Sequence, residues 1–313
     1  MRNAWKLAAG SLALALALLS GACTGERARP APVGTVRIGF ITKFPGDFYG
    51  KMVAAVKKYD AEHSDVEVIF GQGRTGTDDE SAIRFIDSMV AAKVDAIAIT
   101  PTSPNVRTAL DRAVAAGIKI VLIDNDIPGW GGKSTVVATD NRAGGKLAGQ
   151  WLAAHLVNGG TVAVLQGRLG NPSLDDRVTG MKEGLGDRAT VIAETATDCD
   201  ETKGLNATRD ILANHPDVEA IYGACGPPTT GALQAIKAAS KQRRVTLVGF
   251  DATTAEIAAI SAGDQAGSVA QFPAKMGTMG IEAAVAAARG GAVAPTIDTG
   301  VEMVTKVNVA KYQ

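Results

Sequence analysis

A chain of 313 residues with 32 basic and 32 acidic side chains carries no formal net charge, and 46% of it is hydrophobic. The length fits two domains of ordinary size, and the charge balance excludes the Lys/Arg stripe of a nucleic-acid surface. With 36 glycines and abundant Ala and Val, the composition suits a close-packed α/β protein.

Arg2 and Lys6 begin the chain, followed by an apolar run of 13 residues, Leu7–Leu19, and by Ser20-Gly21-Ala22-Cys23. The run is shorter than the roughly 20 apolar residues that cross a bilayer. A basic start, a short apolar middle and small residues before a cut site read as a secretory leader, residues 1–22. The Cys after those small residues resembles the lipobox of bacterial lipoproteins, although Ser20 stands where Leu is usual and Leu19 lies one step early. Lipidation of Cys23 and a membrane anchor follow from that resemblance; plain secretion and an uncleaved anchor are the alternatives. All three put the folded part outside the cytoplasm. Thr24–Gly34, polar with alternating Pro, makes most of an extended tether over residues 23–35.

From Val36 the chain alternates β-rich and amphipathic runs. In order they are strand Val36–Thr42, helix Phe48–His63, strand Val66–Gly71, helix Asp79–Ala92, strand Ala96–Thr100, helix Ser103–Ala116, and strands Lys119–Ile123 and Thr135–Ala138. Helix Arg142–Leu156, strand Thr161–Gln166, helix Leu174–Leu185, strand Thr190–Ala193, helix Thr202–His215, strand Ala220–Gly223 and helix Thr229–Ala239 follow. Strands Val245–Phe250 and Ala266–Val269 and helix Ala274–Arg289 complete the set. Near-continuous apolar strands alternating with helices predict parallel sheets covered on both faces. Ten strands exceed one such domain, so the fold class is α/β with two doubly wound parallel-sheet domains.

A weak internal echo supports two halves. Asp95–Thr100, a Pro, a helix and Ile118–Asp124 recur in outline as Val218–Gly223, Pro227-Pro228, a helix and Val245–Asp251. Each copy ends an apolar strand in Asp. Ligands of open parallel sheets sit beyond the carboxyl ends of strands, so Asp124 and Asp251 become opposite walls of one gap. Such acids also serve as helix N-caps. Carboxylates that accept from hydroxyls, rings from Phe48-Tyr49, and donors from Arg177 and Gln271 are what sugar recognition requires. The bland readings are a helix-start core pair for Phe48-Tyr49 and an exposed pair with Asp175 or Asp176 for Arg177. Trp130 fits either a lid or surface packing.

Signals for catalysis or metal binding are poor. His63, His155 and His215 lack metal-ligand spacing, no Gly-x-Ser-x-Gly elbow occurs, and Gly132-Lys133-Ser134 lacks the upstream Gly of a phosphate loop.

Several stretches together resemble the type I periplasmic binding proteins, in the ribose-binding branch that serves ABC sugar importers. They are Ile38–Tyr49, Ile120–Gly145, Leu165–Gly180, Lys203–Asn206, His215–Val218, Val248–Asp251 and Ala270–Pro273, so the resemblance spans about Val36–Lys306. It implies a three-crossing hinge near Asp140, Gln271 and Gly300, with one lobe of 36–139 plus 272–299 and another of 140–271 plus 300–313. It implies an aromatic pair at Phe48 and Tyr49, a first-lobe acid at Asp124 with Asn125 beside it, a second-lobe Arg at Arg177, and a late acid and hinge amide at Asp251 and Gln271. Lys43, at the end of the first strand, is a further ligand candidate. Cys199 and Cys225 both fall on ligand-facing positions of the family, which implies that they are close; a disulfide is the expectation, with two free buried thiols or a metal or redox site as the alternatives. Asn125 in place of Arg, and the two cysteines in place of other contacts, set this chain apart from ribose binders. The resemblance implies a monomer that captures a sugar or polyol by hinge closure and hands it to an ABC permease and its ATPase, with no cofactor. The alternative is a receptor of the same fold for chemotaxis or signalling-molecule sensing.

Overall fold

The computed structural model describes residues 34–156 and 159–313. The expected leader, Cys23 and the tether up to residue 33 lie outside the described residues. The chain runs β1 (Val36–Thr42), α1 (Asp47–Glu62), β2 (Val66–Gln72), α2 (Asp79–Ala91), β3 (Ala96–Ile99), α3 (Arg107–Ala115), β4 (Lys119–Ile123) and β5 (Thr135–Ala138). It continues through α4 (Asn141–His155), β6 (Gly160–Gln166), α5 (Pro172–Leu185), β7 (Ala189–Ala196), α6 (Glu201–Asn214), β8 (Ala220–Gly223), α7 (Gly226–Ala238) and β9 (Thr246–Asp251). Last come α8 (Thr254–Ala262), β10 (Gly267–Ala270), α9 (Pro273–Ala288), β11 (Thr296–Asp298) and β12 (Glu302–Thr305).

Two six-stranded sheets result, ordered β11-β5-β4-β3-β1-β2 and β12-β10-β9-β8-β6-β7. Apart from the edge strands β11 and β12, both share one doubly wound order, with the second strand outside the first and the third, fourth and fifth following on the other side. β4 and β9 therefore hold the same place in their sheets, and the acids that follow or end them, Asp124 and Asp251, are topological equivalents. The chain passes between the sheets three times: between β5 and α4, between β10 and α9, and between β11 and β12.

Three elements went unread in the sequence. β11 and β12 are 3 and 4 residues long and mostly unburied, so no apolar run marks them, and β12 lies antiparallel on β10, so the second sheet is not wholly parallel. Helix α8 is nearly all apolar on every side and has no amphipathic period, although its ends are well marked. Thr253 and Glu256 form a reciprocal capping box at its start, and Gly263 ends it in the left-handed region. Thr253 is thus the cap of this helix, and Asp251 is not. Elsewhere Asp78, Asp140, Asn171 and Asp200 cap α2, α4, α5 and α6 through their side-chain oxygens.

Each sheet buries both faces. In the first, Ile38, Phe40, Val121 and Ile123 meet α1 and α9 on one side, while Ile41, Ile97, Ile99 and Leu122 meet α2 and α3 on the other. Trp130 belongs to this second cluster; it is buried and its Nε1 donates to Asp111 Oδ1 at 2.7 Å, which makes it neither lid nor surface. The α4–α5 pair packs closest of all. A Cβ at Gly145 of α4 would stand 2.1 Å from the Arg177 carbonyl of α5, and one at Gly180 of α5 would stand 2.0 Å from the Arg142 carbonyl of α4. These helices touch backbone to backbone, and that approach sets where α5 holds Arg177.

Gly145→Ala should therefore lower stability by about 3 kcal/mol, near the top of the range for overpacking, read as a shifted urea midpoint. A change under about 0.5 kcal/mol, the size of an ordinary surface substitution, would count against this packing.

Candidate functional site

The two topologically equivalent acids sit on unusual backbone. Asp124 has φ 67° and Asp251 φ 92°, in the region that L-residues other than Asn and Asp rarely enter. Such geometry costs on the order of 1 kcal/mol or more and persists where the surroundings over-determine it. At Asp124 the backbone N–H donates to Val137 O at 2.9 Å, so the residue still belongs to the β4–β5 ladder.

On the first wall, Asp124 Oδ2 accepts from the Tyr49 hydroxyl at 2.9 Å and from Asn125 Nδ2 at 2.7 Å. Asn125 Oδ1 accepts from Lys43 Nζ at 2.9 Å. All four side chains are buried. Burial, then the Asp124 charge, raises the Tyr49 phenol well above its ordinary value, so it remains a neutral donor. Burial is also the main reason that the Lys43 ammonium titrates below its usual value; Asp124 opposes this, and Arg177 and Arg168 add to it. Phe48 is half-buried and meets Tyr49 edge-on at 5.2 Å, while Phe44 does the same from 4.9 Å.

On the second wall, Arg177 is the centre. Its Nε donates to Asn141 Oδ1 at 2.8 Å, and one Nη donates to Ala224 O at 2.9 Å and to Asp251 Oδ1 at 3.1 Å. The guanidinium carbon lies 4.0 Å from the Phe250 ring centre. Asp251 Oδ1 also accepts from Gln271 Nε2 at 2.6 Å, and Oδ2 accepts from the Gly226 N–H at 3.0 Å. Arg177 therefore pairs with neither Asp175 nor Asp176.

The walls face each other. Asn171 Nδ2, at the start of α5, donates to Asn125 Oδ1 at 3.1 Å, and Ser173 Oγ donates to the Asp124 carbonyl at 3.4 Å. On the other rim, Thr254 N and Oγ1 donate to Asp47 Oδ2 at 3.2 and 3.1 Å. Charge on Asp251 and Arg177 reaches Tyr49 across the gap. Asn171, Ser173 and Phe44 were not picked out from the sequence, whereas Asp140-Asn141 read as a helix cap and hinge feature more than as a contact. Asn171-Pro172 carried the signature of a helix start, which says nothing of a side chain reaching the other lobe. Asp126 pairs with Lys133 and Arg168 is exposed, and neither bonds into either cluster.

Four hydrogen-bonding groups here remain unsatisfied among the described residues: Asp124 Oδ1, the second Arg177 Nη, two N–H donors of Lys43, and the buried Gln271 Oε1. Of these only Gln271 Oε1 is fully buried, where a polar group normally has a partner; the others are free to meet water or a solute.

A disulfide joins Cys199, just past β7, to Cys225, the residue before α7, with Cα atoms 5.9 Å apart. Closing a loop of sequence separation 26 stabilises by about 3.5 kcal/mol on a chain-entropy account. It braces the turn whose next residue, Gly226, donates to Asp251. Behind that acid, Glu256 is buried at 1% exposure and accepts from Thr253 N and Gln265 Nε2, each at 3.0 Å. Burial dominates and pushes its carboxyl up to about 8, with Asp251 adding to the rise.

Surface hollows of about 400 Å³ beside Lys182–Val191 and about 470 Å³ beside Val90–Lys119 touch none of these groups. Among the described residues no cluster of three His, Cys, Asp or Glu side chains could hold a metal, and no helix is long and apolar enough to cross a membrane.

Comparison with known proteins places this geometry. Residues 38–292 match the model of a periplasmic binding protein domain. A ribose import binding protein of Bacillus subtilis is 32% identical over 222 residues, 71% of this chain and 72% of its own. A D-ribose/D-allose-binding protein of Pseudomonas aeruginosa is 30% identical over 262 residues, 80% of this chain and 81% of its own. Among solved structures, an ABC transporter solute binding protein of Bacillus halodurans with bound myo-inositol has a TM-score of 0.83 at 25% identity, over 90% of this chain and 99% of that one.

Glu256 sets a pH dependence. Its folded carboxyl is raised above the ordinary value of 4.5, so its stabilising contribution is fully present below that value and is lost as pH rises through about 8. Urea unfolding should show this side chain costing about 3–4 kcal/mol between pH 5 and pH 8, and Glu256→Gln should flatten that fall. Parallel pH profiles for the variant and the parent would remove Glu256 as the cause.

Proposed function

Because this chain belongs to the periplasmic binding protein family, we propose that it captures a neutral sugar or cyclic polyol outside the cytoplasm and delivers it to an ABC permease and its ATPase. The observation that carries the reading is the set of unsatisfied donors and acceptors on the two facing walls. Adjacent hydroxyls, each donor and acceptor at once, match an array that alternates carboxylate, guanidinium, ammonium and amide. Lys43 and Arg177 offset Asp124 and Asp251, which favours a solute without charge. Relatives named for ribose and allose, and a neighbour holding myo-inositol, support the same class.

The residues proposed to meet the solute are Lys43, Phe48, Tyr49, Asp124, Asn125, Arg177, Asp251 and Gln271. Hinge closure of the lobe 36–139 plus 272–299 onto the lobe 140–271 plus 300–313 buries it. A solute bound by both walls favours the closed form by its difference in affinity for the two states. Acylation of Cys23 would hold a monomeric receptor at the membrane. No catalytic role is assigned to any of these groups.

A thermal-shift screen of sugars and polyols tests the reading. At about 100 times the dissociation constant a bound solute adds about 2.7 kcal/mol, which is a rise of about 5 °C or more. Asp124→Asn keeps an acceptor for Tyr49 and tolerates the left-handed backbone, yet turns a donor toward the solute. It should weaken binding about 10- to 100-fold, the worth of one charge-assisted hydrogen bond, with the solute-free melting point within a few degrees. No response of the parent protein to any sugar or polyol would sink the assignment.

A further inference from the structure

Asn171 has two jobs, and only one of them belongs to its helix. Its Oδ1 accepts from the Ser173 and Leu174 backbone N–H groups at 3.1 and 3.4 Å, capping α5. With the oxygen so engaged, the amide nitrogen must point away from the helix, and it donates to Asn125 Oδ1 of the opposite wall at 3.1 Å. That oxygen also accepts from Lys43 Nζ, the ammonium's only hydrogen bond among the described residues, while Asn125 Nδ2 donates to Asp124. Every contact of the Asn125 amide thus has a defined direction: two donors on its oxygen, one acceptor on its nitrogen. Arg177 lies further along the same α5, whose approach to α4 is backbone to backbone. One rigid helix therefore carries a solute-facing guanidinium and an amide that reaches into the other lobe.

We propose that Asn171 is a positioning residue for solute binding: on closure its amide completes the acceptor site at Asn125 Oδ1 and holds the Asn125 amide and the Lys43 ammonium in their solute-facing orientation. The first lobe's polar wall is finished by a side chain of the second. Because this bond joins lobe to lobe directly, it also favours closure before any solute contributes, which reduces the cost of reaching the binding-competent form. The inference rests on the solute-binding reading above for its first half only.

Asn171→Ser is the informative variant, since Ser caps a helix as well as Asn does but is too short to reach Asn125. Calorimetric titration with D-ribose, D-allose and myo-inositol should show the variant binding about five- to tenfold more weakly, the worth of one hydrogen bond, with the solute-free melting point within a few degrees of the parent's. A double-mutant cycle with Asn125→Ala separates positioning from capping. If Asn171 acts through Asn125, the double variant binds no more weakly than Asn125→Ala alone. Affinity of Asn171→Ser within twofold of the parent, or losses that multiply in the double variant, would overturn the inference. Should the parent respond to no sugar or polyol of the thermal-shift screen, the function reading fails and small-angle scattering of the solute-free proteins decides about Asn171. A larger radius of gyration for Asn171→Ser supports the direct lobe-to-lobe bond, and superimposable curves overturn it.

Discussion

A guanidinium taken out of water is the constraint around which the second wall is arranged. The Arg177 side chain is 5% exposed and its partner Asp251 14%. Burying such a pair is offset only when both members are fully hydrogen-bonded, and removing one partner typically costs about 3–5 kcal/mol. Here the compensation comes from four directions: Asn141 at the start of α4, the Ala224 carbonyl past β8, Asp251 at the end of β9, and the Phe250 ring. Asp251 in turn needs Gln271 and the Gly226 N–H. The elements that meet at this edge are thereby fixed relative to one another by one charge, and the Nη that remains unpaired is presented in a place defined by all of them.

The first wall reaches a similar end with different chemistry. One oxygen of its acid is held by a phenol and an amide instead of an ion pair, and its cation sits one bond further off, on the amide. A neutral Tyr49 and a strongly desolvated Lys43 are both consequences of closing water out. The two walls are equivalent in topology, β4 against β9, yet not in composition. A solute held between them, as proposed above, would meet a different set of partners on each side.

Much of this was legible in the chain and some was not, for physical reasons. Strands buried on both faces announce themselves as apolar runs, and the recurring strand–Pro–helix–strand–Asp pattern placed Asp124 and Asp251 at corresponding edges before any coordinates. α8 escaped because periodicity detects a half-buried helix and this one is apolar all round, although its Thr253–Glu256 box and Gly263 were in plain view. β11 and β12 escaped because edge strands of three and four residues owe their existence to the neighbour that pairs with them. Asn171 escaped for a different reason: its local role as a cap is complete in itself, and a second bond to a residue 46 positions away leaves no trace in local pattern.

Neither sheet is built from one continuous stretch. Thr139 and Thr299, 160 positions apart, meet beside β5 and β11, and α9, which covers Ile38, Phe40, Val121 and Ile123, comes from the last fifth of the chain. A polypeptide emerging from its N-terminus cannot seal the first lobe until those late segments appear, and closing so long a loop is slow. The late segments that finish the first sheet are also the ones that return the chain to the second, so neither lobe completes its core without being tied to the other.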